Sequence, residues 1–250
     1  MKQAELLTLL YNDQATGGWT QGMARITRAI LARIPIHPAD MVLEVGCGLG
    51  KVAHTLQDSH PAAHVIGVEI HPVALANAAS HGRATFVQGN LLHLPFPAAC
   101  AHLLLALDSF DQVGIDLHQA LAEAHRVLRP NGLLLLRVSA HPRLQGAHDV
   151  AFNTGRRYTR AEIAAALAHA GYAIERTSYA NALLAAPVAA LRSLERVRSI
   201  NALPTQKSAG VYGSSIANAA IHKALALESA WLRRANLPLG LSLLVLARKQ

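Results

Sequence analysis

Five short apolar segments recur between Met41 and Val138, and helical patterns separate most of them. They are Met41–Val45, Val65–Glu69, Ala84–Gln88, Ala101–Leu107 and Leu133–Val138. Each is strand-length and nearly continuous in apolar residues, as a strand buried on both faces must be. Lys51–Asp58, Pro72–Ala79 and Ile115–Leu128 carry helical patterns, and the last stops at Arg129–Gly132, which reads as a helix stop and turn. Such alternation predicts an α/β fold, a mostly parallel sheet with helices on both faces.

Beyond Val138 the pattern loosens. Arg160–Ala170 reads as a helix closed by Gly171. Tyr172–Ser178 and Leu241–Ala247 read as two late strands, with helix formers between them. The expected organisation is therefore N-terminal helices or a lid over 1–40 and a cofactor-binding core over 41–180. A helical cap or insertion over 181–235 and a final core strand within 236–250 complete it.

At 250 residues and 52% hydrophobic, the chain has apolar material for one core, which argues against disorder. No window reaches the roughly 18 uninterrupted apolar residues of a membrane span. Met1–Leu10 has a short apolar run but carries Glu5 and no small-residue cleavage site after it, so it does not read as a signal peptide. Cys47 and Cys100 are too few for a disulfide framework or a zinc cluster. These features together predict a reduced, cytoplasmic protein, as a monomer or homodimer. The net charge of +8 is spread along the chain as arginine rather than gathered in a block. That and the 4% aromatic content speak against nucleic acid. The 14 histidines show no metal-ligand spacing, so no metal is expected. Leu183–Arg198 sets apolar residues on one helical face and arginines on the other, which leaves contact with a membrane surface open beside packing on its own domain.

The first apolar segment stops at Gly46, Gly48 and Gly50. In a parallel sheet, a glycine turn after the first strand lets a ligand approach the backbone where strand order reverses, with the next helix aiming its amides at it. Lys51 stands where the third glycine of a dinucleotide fingerprint would be, which weighs against a nicotinamide dehydrogenase, and no phosphate-loop lysine motif is present. Glu69 closes the second segment about 20 residues on, where an acidic side chain accepts hydrogen bonds from ribose hydroxyls.

These residues resemble a known family. Glu44–Gly50, Gly67–Glu69, Gly89–Pro97, Ala106–Asp108 and Arg126–Leu136 are similar, in order, to the motifs of class I S-adenosylmethionine-dependent methyltransferases of the type 11 group. The resemblance implies a Rossmann-like, seven-stranded sheet with its last strand antiparallel. It implies S-adenosylmethionine as cofactor and S-adenosylhomocysteine as product. Glu44, Gly46, Cys47, Gly48 and Gly50 would cradle the methionine part, and Glu69 with Ile70 would hold the ribose. Gly89, Asn90 and Leu91 would face adenine, and Leu107 and Asp108 would lie at the methionine end. Asn90 stands where the family usually has Asp, and Asp111–Gln112 where many relatives have Glu-His. His148–Asp149 and Asn153–Tyr158 resemble a subgroup signature of H-D followed by R-R-Y, with Asn153 in place of a histidine.

The expected activity is methyl transfer to a small-molecule or lipid-like acceptor by direct displacement. The candidate catalytic residues are His148, Asp149 and Tyr158, with the alternative that His148 and Asp149 pin a loop, Asp149 by pairing with Arg156 or Arg157. The candidate substrate residues are Tyr11, Trp19 and Arg157, with core packing as the alternative for the two aromatics. The alternative function is a catalytically inactive S-adenosylmethionine-binding partner or regulatory protein, motivated by Asn90, Gln112 and Asn153.

Overall fold

The structure is a computed structural model and describes residues 18–80, 82–146, 149–150, 152–197 and 215–250. Seven strands form one sheet, β1 Met41–Val45, β2 His64–Glu69, β3 Thr85–Gln88, β4 Ala101–Leu107, β5 Leu128–Ser139, β6 Tyr172–Ala180 and β7 Ser242–Lys249. Their order is β3-β2-β1-β4-β5-β7-β6. β3, β2, β1, β4 and β5 pair in parallel, and β7 runs antiparallel to both β5 and β6. The sheet is the expected Rossmann-like one, with its last strand antiparallel.

The period-2 geometry of a strand divides the apolar residues between two cores. Leu43, Val45, Leu104, Ala106, Leu134 and Leu136 face one side with helices α4 (Leu117–Val127) and α5 (Arg160–His169). Val42, Leu103, Leu105, Leu133 and Leu135 face the other, with α1 (Gly18–Leu31), α2 (Lys51–Ser59) and α7 (Ser215–Leu232). Both faces of β4 and β5 are thus covered, which is why those segments read as unbroken apolar runs. The remaining helices are α3 (Pro72–Ala79) and α6 (Ala182–Val197). α4 starts on Asp116, which accepts from Gln119 N, and α5 starts on a Thr159–Glu162 capping box.

The Arg129–Gly132 turn proves to lie inside a strand. Leu128 already pairs with Ala101, the register then shifts, and Asn131 takes φ 62. The stop and turn are an irregularity in β5 rather than a connection outside it.

α1 runs opposite to the strands. Past its C-terminus, Pro35 O meets His102 at the start of β4, while Thr27 meets Arg137 near the end of β5. Gly22 lets α7 come close, since a Cβ there would lie 2.3 Å from Leu225. Glu228 of α7 accepts from the backbone N–H groups of Asn181 and Ala182 and so caps α6. α1 therefore covers a sheet face and brings only its N-terminal end toward the carboxyl ends of the strands. No helix among the described residues is long and apolar enough to cross a membrane.

Candidate functional site

The carboxyl ends of β1, β4, β5 and β6 each turn through a residue in the left-handed region. These are Gly46 (φ 70), Asp108 (φ 57), His141 (φ 61) and Asn181 (φ 63). Three of the four are not glycine, and such strain gathers where structure holds a site open.

After β1, Gly46 N and Cys47 N both donate to Val68 O, at 2.8 and 3.1 Å. A Cβ on Gly46 would stand 2.6 Å from that of Ser109, so the turn packs directly on the loop after β4. That contact marks the switch point of the sheet. Glu44 lies beneath the turn, 4% exposed, and accepts from Ala53 N at 2.8 Å. It braces the first turn of α2 from below. Burial pushes its carboxyl up to about 8, against the pull of the Ala53 N–H and of Arg137. Cys47 is buried, and burial with the nearby Glu44 and Glu69 pushes its thiol up, away from nucleophilic chemistry.

At the tip of β2, Glu69 accepts from Gly48 N through Oε2 and from His71 N through Oε1, both at 2.9 Å. Two amides hold the carboxylate in place, and a carboxylate has about four lone-pair sites, so accepting capacity remains. Ile70 beside it is 61% exposed, an apolar face next to a polar clamp. Gly89 N donates to Glu69 O, and Asn90 Oδ1 accepts from Leu92 N at 2.9 Å, closing the loop after β3. Arg126 and Glu123 of α4 secure the next stretch through Leu94 and Phe96. Leu91 packs on the core from this loop.

After β4, Asp108 receives Arg137 in a two-point ion pair, Nε to Oδ1 at 2.9 Å and Nη2 to Oδ2 at 2.7 Å. Arg137 Nη1 also donates to Thr27 of α1. Leu107, just before, is half-buried against α1's core. Asp111 follows, 1% exposed, its Oδ2 accepting from Ser139 N at 2.7 Å. Its Oδ1 has no partner, nor do Ser109 Oγ and His141 Nε2, and all three atoms are buried. His141 stacks flat on Tyr179, with ring centroids 5.4 Å apart.

Asp149, Arg157 and Tyr158 have turned inward. Asp149 and Arg157 are both buried, and Arg157 donates to Asp149 Oδ1 through Nε (3.0 Å) and Nη2 (2.6 Å) and to Ala140 O through Nη1. Asp149 Oδ2 accepts from Gly146 N. Asp149 and Arg157 each hold the other, the pairing named by the alternative of a pinned loop. Tyr158 is buried, with the Arg156 guanidinium 5.1 Å from its ring, and its backbone bridges Ser139 and His141. Trp19 is half-buried on the core under α1, as a residue of that helix's packing face. Tyr11 and His148 lie outside the described residues. The glycine turn, Glu69, Ile70, Asn90 and Asp108 all lie at the carboxyl ends of β1 to β4. Sequence reading passed over Ser109, His141 and Arg137, and noticed Asp111 only as a departure from a pattern. Among the described residues no cluster of three metal-ligating side chains occurs.

The family model described as a methyltransferase domain matches residues 43–136. A malonyl-[acyl-carrier protein] O-methyltransferase of Geobacter sulfurreducens is 30% identical over 203 residues, covering 73% of this chain and 74% of that protein. Matches to other curated relatives are shorter, and the first four span only 39 to 52% of those proteins' lengths. Among solved structures, the [4+2]-cyclase SpnF superposes with TM-score 0.63 at 19% identity, over 99% of this chain and 94% of that one. A geranyl diphosphate C-methyltransferase of Streptomyces coelicolor, solved with S-adenosyl-L-homocysteine, gives TM-score 0.59 at 16% identity over 91% and 78%. At such identity the likeness establishes the fold, and a cyclase beside a methyltransferase shows that the fold alone leaves the reaction open.

Proposed function

The chain belongs to the S-adenosylmethionine-dependent methyltransferases, and from that premise we propose that it moves a methyl group to a small-molecule or lipid-like acceptor by direct displacement. The observation that carries this reading is the Glu69 carboxylate, fixed by two backbone amides at the tip of β2, beside the glycine turn at the switch point.

The residues fit the cofactor. Glu69 has lone pairs left for a ribose diol, and Ile70 offers an apolar surface on which adenine would lie. Gly89, Asn90 and Leu91 would border the base, Asn90 donating through its amide nitrogen while its oxygen holds Leu92 N. Gly46, Cys47, Gly48 and Gly50 would shape the methionine side, with Glu44 bracing the turn from beneath. Leu107 and Asp108 would bound its far end. When bound, S-adenosylmethionine supplies an electrophilic methyl carbon on a sulfonium sulfur. The work left to these residues is alignment of nucleophile, carbon and sulfur and exclusion of water. The core formed by 41–180 and 236–250 would hold the cofactor, while α1 and α7 pack on one face of its sheet.

The departures that motivate an inactive binding protein have structural employment. Gln112 Nε2 donates to Asp108 O, Asn153 occupies the left-handed region and accepts from Val113 N, and Asn90 closes its own turn. They support retention of the site. Calorimetric titration with S-adenosylhomocysteine, with NAD as control, tests the reading. Selective binding is expected, and a folded protein that binds neither would end it. Cofactor binding without turnover on any acceptor would favour the regulatory alternative.

A further inference from the structure

Asp111 is buried among the loops at the carboxyl ends of β4 and β5, with one carboxylate oxygen on Ser139 N and the other on nothing. A buried acceptor without a donor is costly and calls for a partner from outside the fold. A second such atom belongs to His141. His141 is two residues beyond Ser139 on the same strand tip, roughly 7 Å along extended backbone. Its backbone is held at φ 61, its ring is held flat on Tyr179, and its Nε2 is buried and unpaired. The rim beside them is apolar. Val113 and Val150 are exposed, and Val113 N is bonded to Asn153 O in the loop that packs on Asp111.

The charges at this end are equally specific. The two buried guanidinium groups, Arg137 and Arg157, are engaged by Asp108 and Asp149. What remains unengaged there is Asp111 Oδ1, with Ser109 Oγ and His141 Nε2. Among the described residues no spare buried guanidinium stands at this end to receive an anionic acceptor, whereas a hydroxyl would give Asp111 Oδ1 the donor it lacks.

On the methyltransferase reading above, we propose that Asp111 Oδ1 and His141 Nε2 are the polar contacts of the methyl acceptor. The acceptor is a neutral, largely apolar molecule with a hydroxyl group, and Asp111 removes its proton. In the step, the acceptor oxygen forms its bond to the methyl carbon as the carbon–sulfur bond breaks, its electron pair staying on sulfur. The hydroxyl proton passes to the Asp111 carboxylate and then to solvent. Burial and the neighbouring Asp108 charge raise the Asp111 carboxyl to about 6, so it is ionised at neutral pH and more basic than an ordinary carboxylate. The other groups bearing on it are the Ser139 hydroxyl, Arg137 through Asp108, and Tyr158 with Arg156 over its ring.

The test uses the full chain saturated with S-adenosylhomocysteine and two probes of one shape, 2-naphthol and 2-naphthoate. Calorimetry is expected to give binding of 2-naphthol and at least tenfold weaker binding of 2-naphthoate. Asp111→Asn should narrow that preference at least fivefold while leaving S-adenosylhomocysteine affinity within twofold. With S-adenosylmethionine, transfer to 2-naphthol should rise with pH through about 6 and fall at least 100-fold in Asp111→Asn. If that variant does not fold, His141→Phe, which keeps the stack on Tyr179, should weaken 2-naphthol at least fivefold. Equal binding of the two probes, binding of neither, or variants indistinguishable from wild type would overturn the proposal, the last leaving Asp111 served by internal water. Failure of S-adenosylhomocysteine to bind is a separate result and removes the cofactor reading first.

Discussion

The two halves of the crevice are finished to different degrees. At the tips of β1 to β3, Glu69 holds Gly48 N, Glu44 holds Ala53 N and Asn90 closes its own turn, while His71 Nδ1 is buried without a partner, as is His54 Nδ1 in α2. At the tips of β4 and β5, Ser109 Oγ, Asp111 Oδ1 and His141 Nε2 all lack one. The first half is largely bonded within itself, as suits the cofactor site proposed above. The second keeps buried polar atoms without partners, and one of them, Asp111 Oδ1, is a carboxylate oxygen that awaits a donor.

The sharpest way to break this contrast is at the ion pair that walls the second half. Arg157→Ala strands a buried Asp149, and the expected loss of stability is about 3–5 kcal/mol, read by denaturant unfolding. If stability holds and only acceptor turnover falls, the pair belongs to the site and not to its frame. Next, Glu69→Ala should weaken S-adenosylhomocysteine by about 100-fold, the size of two lost hydrogen bonds to a charged group. His148→Ala should do far less, and the reverse order measured by calorimetry would defeat the division of the crevice. Gly46→Ala sets a Cβ against Ser109 at φ 70 and should cost about 1–3 kcal/mol, visible as a lower Tm and weaker cofactor binding together.

The smallest effect is the most diagnostic of the first half. Glu44 has its folded pKa raised to about 8 from an ordinary 4.5, so between those values the folded chain binds more protons than the unfolded. Stability must therefore fall as pH rises through that window. Asp111, raised to about 6, acts in the same direction lower down. Glu44→Gln replaces a neutral acid by a neutral amide at pH 7 and should change Tm there little. It should flatten the decline of Tm between pH 6 and 8, and an unchanged slope would refute the assignment.

Sheet, glycine turn and Glu69 were legible because their causes are local. Periodicity marks a buried strand, and an abrupt glycine series after it marks a backbone that must turn left-handed. The rest depends on partners distant in sequence. The sequence offers Arg156 and Arg157 alike as partners for Asp149, and the choice of Arg157 depends on how the loop folds back on Ala140. His141 reads as an ordinary histidine until the stack on Tyr179 is seen. Arg129–Gly132 has every residue of a turn, yet pairing of Leu128 with Ala101 drew it into a strand. Asp108 and Arg137 come together only because β4 and β5 are neighbours.

The place of β7 bears on how the molecule assembles. Its pairing with β5 joins residues more than a hundred positions apart, Leu133 with Arg248, so that ladder closes against a large loop entropy and forms late. β6 is attached to the sheet through β7 alone. Until the strand nearest the end of the chain docks, β6 has no neighbour and β5 is a bare edge. A folding intermediate should therefore show β1 to β5 protected from hydrogen exchange while β6 and β7 gain protection together, in a single slower phase.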